Sequence, residues 1–183
     1  MAGGARIPSS SPRPCRSHID TSYLLPLLLG RDPDSSSEAN PREIFERVDT
    51  LSRAGHGTPL GTSLIAIGEA FSKISGNPEE FRSSWPENPP SQRLASLVQE
   101  HRLQVCWAGH EGQRGGAGLL RLAARVLDLE PGVGVADSLI VACAVACRTT
   151  LTLYTTDARL IRSPGLRALG RTGGRQWNIA EVP

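Results

Sequence analysis

Apolar positions along this chain fall alternately into helical and extended patterns. Residues 16–20 form a short candidate strand that runs directly into Thr21-Ser-Tyr-Leu-Leu, whose apolar continuation to Leu29 predicts a first helix. Ile44, Val48 and Leu51 mark the buried stripe of an amphipathic helix that begins at Pro41 and runs to about Arg53. Residues 55–61 read as a turn region with a very short strand. Thr62 then caps a helix over residues 63–74, in which Leu64, Ile67, Phe71 and Ile74 share one face. Residues 76–90 carry prolines at 78, 86, 89 and 90 and are expected to be an irregular insertion. Beyond them the pattern predicts a helix over 91–101, a strand over 103–107 and an amphipathic helix over 118–127. Residues 135–147 are apolar all round except at their start, as a helix in the middle of a domain would be. A short β-rich run at 151–155 and a last strand at 176–182 complete the chain.

Helices alternating with short strands imply an α/β fold: a three-layer α/β/α domain around a central, mainly parallel, twisted sheet. Residues 1–16, rich in Gly, Pro, Ser and Arg, are expected to be a disordered tail, and residues 17–183 a single domain. The longest strongly apolar run, 138–147, is about half of the roughly 20 residues a membrane span needs, so no membrane association is expected.

Composition narrows the class further. A hydrophobic share of 39% and a charged share of 21% are those of a globular chain. The four cysteines, at 15, 106, 143 and 147, show neither CxxC spacing nor the density of a secreted disulfide scaffold, which suggests the reducing cytoplasm. Cys143 and Cys147 are expected to be buried free thiols without a catalytic role. His18, His56, His101 and His110 show no ligand spacing and are assigned structural roles. The net charge of +2 does not by itself announce a nucleic-acid partner. Residues 158–180, however, hold Arg159, Arg162, Arg167, Arg171 and Arg175 and no acid, and Arg159 and Arg162 are candidates for contact with an RNA backbone. A solvated surface would carry the same charges.

Four acids stand where chemistry is expected. In open parallel sheets the functional crevice lies beyond the carboxyl ends of the strands, where Asp20 and Asp157 fall. Asp137 opens the buried helix, at the positive end of its dipole. Glu69 lies amid Ile65, Ile67, Ala70 and Phe71, where an unpaired charge is costly. Clustered carboxylates raise one another's pKa unless cations neutralise them, and Mg2+ or Mn2+ is the natural partner for such oxygens. Taken singly, Asp20 would serve as a helix cap, Asp137 as a helix start and Asp157 as a turn residue. Their ordered joint occurrence favours a shared site. Other phosphate chemistries fit poorly, because the glycine-rich run 55–61 has no lysine and Gly132-Val-Gly134 lacks a third glycine.

Ile19-Asp20-Thr21-Ser22, Glu69 in a helix, Ala136-Asp137-Ser-Leu-Ile-Val-Ala and Leu153-Tyr-Thr-Thr-Asp157 together resemble the successive motifs of PIN domains, the VapC-like toxin ribonucleases among them. The similarity spans residue 17 to the C-terminus. Its most specific part is the apolar helix opened by Asp137, followed 20 residues later by the Tyr-Thr-x-Asp strand end. The resemblance implies a Mg2+- or Mn2+-dependent endoribonuclease, in many members the toxin of a toxin–antitoxin pair, often dimeric and inhibited by a small antitoxin protein. It makes Asp20, Glu69, Asp137 and Asp157 metal ligands, with Thr155 and Ser22 in support. Glu79 and Glu80 are alternatives to Glu69 as the second acid. The competing expectation is a catalytically silent PIN-like module that binds RNA or a protein.

Overall fold

The computed structural model describes residues 15–29, 41–54, 58–76, 89–100, 102–106, 116–147, 149–171 and 175–183; the side chains of residues 41, 42, 44, 45, 54 and 116 are not among them. The stripe position Ile44, most of the tail, most of the 76–90 insertion, the alternatives Glu79 and Glu80, and His56, His101, Trp107 and His110 therefore lie outside the described residues.

The central strand is β1 (Ser17–Ile19), with β2 (Leu60–Ser63) and then β3 (Leu103–Cys106) on one side and β4 (Thr152–Tyr154) and then β5 (Asn178–Ala180) on the other. Every pairing is parallel, with Ser17 opposite both Leu60 and Thr152, Leu60 opposite Leu103, and Leu153 opposite Ile179. Parallel neighbours cannot be joined by a tight turn, so each connection must cross a face of the sheet, which covers both faces with helices. Eight helices among the described residues do this: α1 (Thr21–Leu29), α2 (Pro41–Ala54), α3 (Leu64–Gly76), α4 (Pro90–Gln99), α5 (Gly116–Leu129), α6 (Val135–Ala146), α7 (Ala158–Arg162) and α8 (Pro164–Gly170). The result is the expected three-layer α/β/α arrangement. Among the described residues no helix is long and apolar enough to cross a membrane.

The core gathers Ile19, Leu24, Leu27 and Leu28 with Ile140, Val141, Leu153, Leu160, Leu166, Trp177 and Ile179. Helix α6 is the expected central helix. Residues 140–144 are all buried, and α5 packs along it. On α2, Val48 is buried and Leu51 half-buried, as expected of the stripe. The backbone N–H of Val182 donates to the Tyr23 hydroxyl at 3.0 Å, tying the strand β5 segment to α1.

Three local expectations change. Residues 60–63 are a full strand that passes directly into α3, so Thr62 is not the cap. Its hydroxyl donates to the Ile19 carbonyl at 3.3 Å, across to the neighbouring strand. Ser63 takes the capping role, its hydroxyl accepting from Ala66 N–H at 3.0 Å. Residues 158–170 form α7 and α8, which the charge pattern concealed. Asp157 and Ser163 cap them, and Pro164 occupies the first turn of α8. Finally, Cys15 is buried and the Arg16 carbonyl accepts from Leu151 and Thr152 N–H groups, so the packed chain begins before β1.

Gly170, at the end of α8, is required by packing. A Cβ there would fall inside the indole ring of fully buried Trp177.

Candidate functional site

Three of the four acids stand just beyond a strand or in the first turn of a helix, and the fourth, Glu69, lies inside the helix that leaves β2. Asp20 immediately follows β1, and Asp157 follows β4. Glu69 lies in α3, which leaves β2 without a connecting loop, and Asp137 is in the first turn of α6.

Asp20 is only 6% exposed. Its Oδ1 accepts from the Ser22 N–H at 2.8 Å and the Ser22 hydroxyl at 2.5 Å. Burial raises its carboxyl above the ordinary range, although hydrogen bonds from Ser22 and Thr155 work in the other direction. Ser22 also bridges outward, its Oγ accepting from the Thr156 N–H at 3.1 Å. Thr155 is buried, and its hydroxyl accepts from the Asp157 N–H at 3.0 Å. Ser22 and Thr155 thus link the end of β1 to the end of β4.

Glu69 is held from two directions. The Thr21 hydroxyl donates to Oε2 at 2.6 Å, and Lys73, one helical turn on, pairs with Oε1 at 3.0 Å. A charge amid apolar neighbours therefore has the partners it needs. Asp157 caps α7 by accepting from Arg159 N–H at 2.8 Å, and the Arg159 guanidinium pairs with its Oδ2 at 2.8 Å. That hydrogen bonding holds the Asp157 carboxyl below the usual carboxylate range. Asp137 is raised instead, first by burial and then by the negative charges of Glu69 and Asp157, with Lys73 and Arg159 partly offsetting them. Acids from α3, α6 and the end of β4 therefore act on one another electrostatically.

The carboxylates do not close tightly. Among the described residues, the one group whose three ligand atoms all lie within 4.8 Å of one another is made of thiols. Oxygen donors of this kind suit a hard cation, and Lys73 and Arg159 supply the positive charge in this arrangement.

The arginines of the C-terminal segment divide by role. Arg159 is committed to Asp157 and to the Gly132 carbonyl at 2.5 Å, while Arg162 is exposed. Arg167 donates to the Ile161 carbonyl and Arg171 to the Trp177 carbonyl. Arg175 gathers the carbonyls of Ala144, Val145, Cys147 and Thr150 and lies over the Trp177 ring. These last three arginines fasten the fold, so the broad basic face is reduced to Arg162 with Arg159 beside it.

One constellation was missed from sequence. The Sγ atoms of Cys15 and Cys106 are 2.9 Å apart, and those of Cys15 and Cys147 are 3.6 Å apart. All four cysteines are free; Cys143 is buried outside this group, as expected of it, whereas Cys147, expected to be buried too, is half-buried and belongs to the group. His18 is fully buried, and neither ring nitrogen has a hydrogen-bond partner. Burial pushes its imidazole down to about 4, so the ring is neutral. The available signal was Cys15-x-x-His18, two ligand-type residues three apart. Cys106 and Cys147 are distant in sequence and carry no such spacing.

Neither a family model, nor a curated protein, nor a solved structure matches this chain.

Proposed function

We propose that this protein is a metal-dependent endoribonuclease, hydrolysing RNA phosphodiester bonds at Asp20, Glu69, Asp137 and Asp157 with Mg2+ or Mn2+. The observation that carries this reading is the placement of the acids, with Asp20 and Asp157 beyond the ends of β1 and β4, Asp137 in the first turn of α6, and Ser22 and Thr155 linking the first two. Asp137 lies in the field of Glu69 and Asp157, acids far from it in sequence, and Asp20 is linked to the Asp157 segment through Ser22 and Thr155. Lys73 and Arg159 offset part of this negative charge, and a bound divalent cation would offset the rest.

Asp20, Glu69, Asp137 and Asp157 would hold the divalent cation, which would supply an activated water and charge stabilisation for the departing oxygen. The protein's part is positioning. Ser22 fixes one oxygen of Asp20, Thr21 orients Glu69, and Thr155 sets the backbone of Asp157. Lys73 and Arg159 balance the negative charge, and Arg162 offers an exposed guanidinium to a phosphate beside the centre. The PIN resemblance adds a toxin role, a small antitoxin protein as inhibitor, and a homodimer. Four free thiols fit a reducing, cytoplasmic setting.

A second reading, a PIN-like module that binds RNA or protein without cutting, is favoured by one observation: Glu69 and Asp157 already hold cationic side chains. The test is cleavage of a mixed set of labelled RNAs in EDTA, Mg2+ or Mn2+, beside an Asp137→Asn variant. Metal-dependent cutting lost in the variant supports the nuclease. Folded protein that cuts no RNA with either metal, and whose melting temperature Mn2+ leaves unmoved, supports the silent module.

A further inference from the structure

We infer that Cys15, Cys106 and Cys147 form a second cation site, independent of the carboxylates, which takes a soft divalent ion of the zinc type, with His18 beside it as the candidate fourth ligand.

The first support is the sulfur geometry. Around zinc, with Zn–S near 2.3 Å, sulfurs at the corners of a tetrahedron stand about 3.8 Å apart. Here the pairs are 2.9 Å and 3.6 Å, and all three sulfurs lie within 4.8 Å of one another. The shortest pair remains well beyond the roughly 2.05 Å of a covalent disulfide. Three thiols from three separate parts of the chain have no hydrophobic reason to point their sulfurs at one another. A shared ligand supplies one.

The second support is independent of the first. His18 buries an imidazole whose two nitrogens are both unpartnered, a situation folded proteins rarely tolerate. Its Nδ1 and the sulfurs of Cys15 and Cys106 converge on the space above Gly61. A Cβ added there would stand 2.8 Å from Nδ1, 2.9 Å from Cys15 Sγ and 3.1 Å from Cys106 Sγ. The glycine leaves open the cradle that a side chain would fill. A metal bond at Nδ1 would give one of the two orphaned ring nitrogens a partner; His18 stands outside the 4.8 Å group of sulfurs, so its ring would have to close on them to complete a three-sulfur, one-nitrogen zinc set.

The backbone around the ligands is also fixed. Arg175 donates to the Cys147 carbonyl at 2.9 Å, holding the segment after α6 in place. The ion would join the segment two residues before β1, the end of β3 and the residue just after α6. On binding, each coordinating thiol releases its proton to solvent, while the neutral imidazole donates a lone pair without losing one.

The experiment uses the full chain, purified under reducing conditions, with metal content measured by mass spectrometry and zinc exchanged for Co2+. The expected result is about one zinc per chain and an intense sulfur-to-cobalt charge-transfer band with tetrahedral d–d absorption. Both should persist in Cys143→Ser and in Asp137→Asn, which separates this site from the carboxylates, and both should be lost in Cys147→Ser. If Cys147→Ser does not fold, thiol counting on the parent protein decides. Adding a chelator should raise the reactivity of Cys15, Cys106 and Cys147 together, while Cys143, shielded by burial alone, should not respond. No zinc and no cobalt band after reconstitution would overturn the proposal. So would thiol reactivity that a chelator leaves unchanged, or an intact mass lower by two hydrogens from a Cys15–Cys106 disulfide.

Discussion

Thr21 donates its hydroxyl to Glu69 across 2.6 Å, joining the first residue of the helix after β1 to the helix that follows β2. With Lys73 on the other oxygen, the orientation of the Glu69 carboxylate is set by two elements at once. Thr21→Val keeps the side-chain shape and removes the donor. RNA cleavage should fall about 10-fold, the usual cost of losing a group that orients a metal ligand. Stability should fall by about 1 kcal/mol, measured by urea denaturation.

Asp137 stands in the field of two other acids, so its removal separates charge relief from function. Asp137→Asn should melt higher than the parent protein in EDTA, because one of three mutually repelling groups is gone. In Mn2+ the order should reverse, with the parent gaining and the variant unmoved. Cleavage should drop on the order of 100-fold or more. Thermal melts with and without metal, paired with the cleavage assay, give both readings.

Arg162 and Arg167 are neighbours in sequence with different duties. Arg162 is exposed, whereas Arg167 donates to the Ile161 carbonyl. Arg162→Gln should weaken RNA binding and flatten the plot of log K against log salt by roughly 0.7, the contribution of one phosphate contact on a single strand. Arg167→Gln should leave that slope unchanged and lower the melting temperature.

Asp49 on α2 pairs with Arg53 and with Arg102, which also donates to Ser52. Partial burial opposes the charge on Asp49, but the two arginines together outweigh it and hold the carboxyl below its ordinary value. A carboxyl depressed in the fold binds its proton later than in the unfolded chain. Its contribution is therefore fully present above the unfolded pKa of about 3.9 and is lost as pH falls through the lower folded value. Asp49→Asn should cost about 1 kcal/mol at neutral pH, a gap that closes in acid below pH ~4.

Gly170→Ala tests packing away from both candidate sites. Its methyl group would overlap the Trp177 ring, which is fully buried and has nowhere to move. A loss of about 1–3 kcal/mol is expected from overpacking, with quenched or shifted Trp177 fluorescence reporting the displaced ring.

The parts of this fold legible from sequence were those where one signal dominates. Residues 135–146 could only be a buried helix, because apolar side chains surround it and Asp137 marks its start. Strand β4 announced itself through β-favouring residues ending at Thr155. Strand β2 was less visible, since Gly61-Thr62-Ser63 offers no apolar run and is held by its two neighbouring strands. Helices α7 and α8 were hidden by attention to charge, although Asp157, Ser163 and Pro164 carried ordinary capping signals. Among the site residues, the positions of the four acids relative to strands and helices were readable. Their cationic partners Lys73 and Arg159 were not, because pairing depends on where side chains meet in space. The thiol cluster escaped for the same reason, its members coming from residues 15, 106 and 147.

The sheet places β1 at its centre, between β2 and β4, so β1 pairs with a strand that follows it by more than 130 residues. Ser17 meets Thr152, and Asp20 shares Ser22 and Thr155 with the segment around Asp157. Such long-range pairing slows folding, since the loop between the partners must close before their contacts form. For a nascent chain emerging from its N-terminus, the four acids cannot assemble until β4 has left the ribosome. Under the proposed function, the site would therefore stay unassembled until the segment around Asp157 has been made.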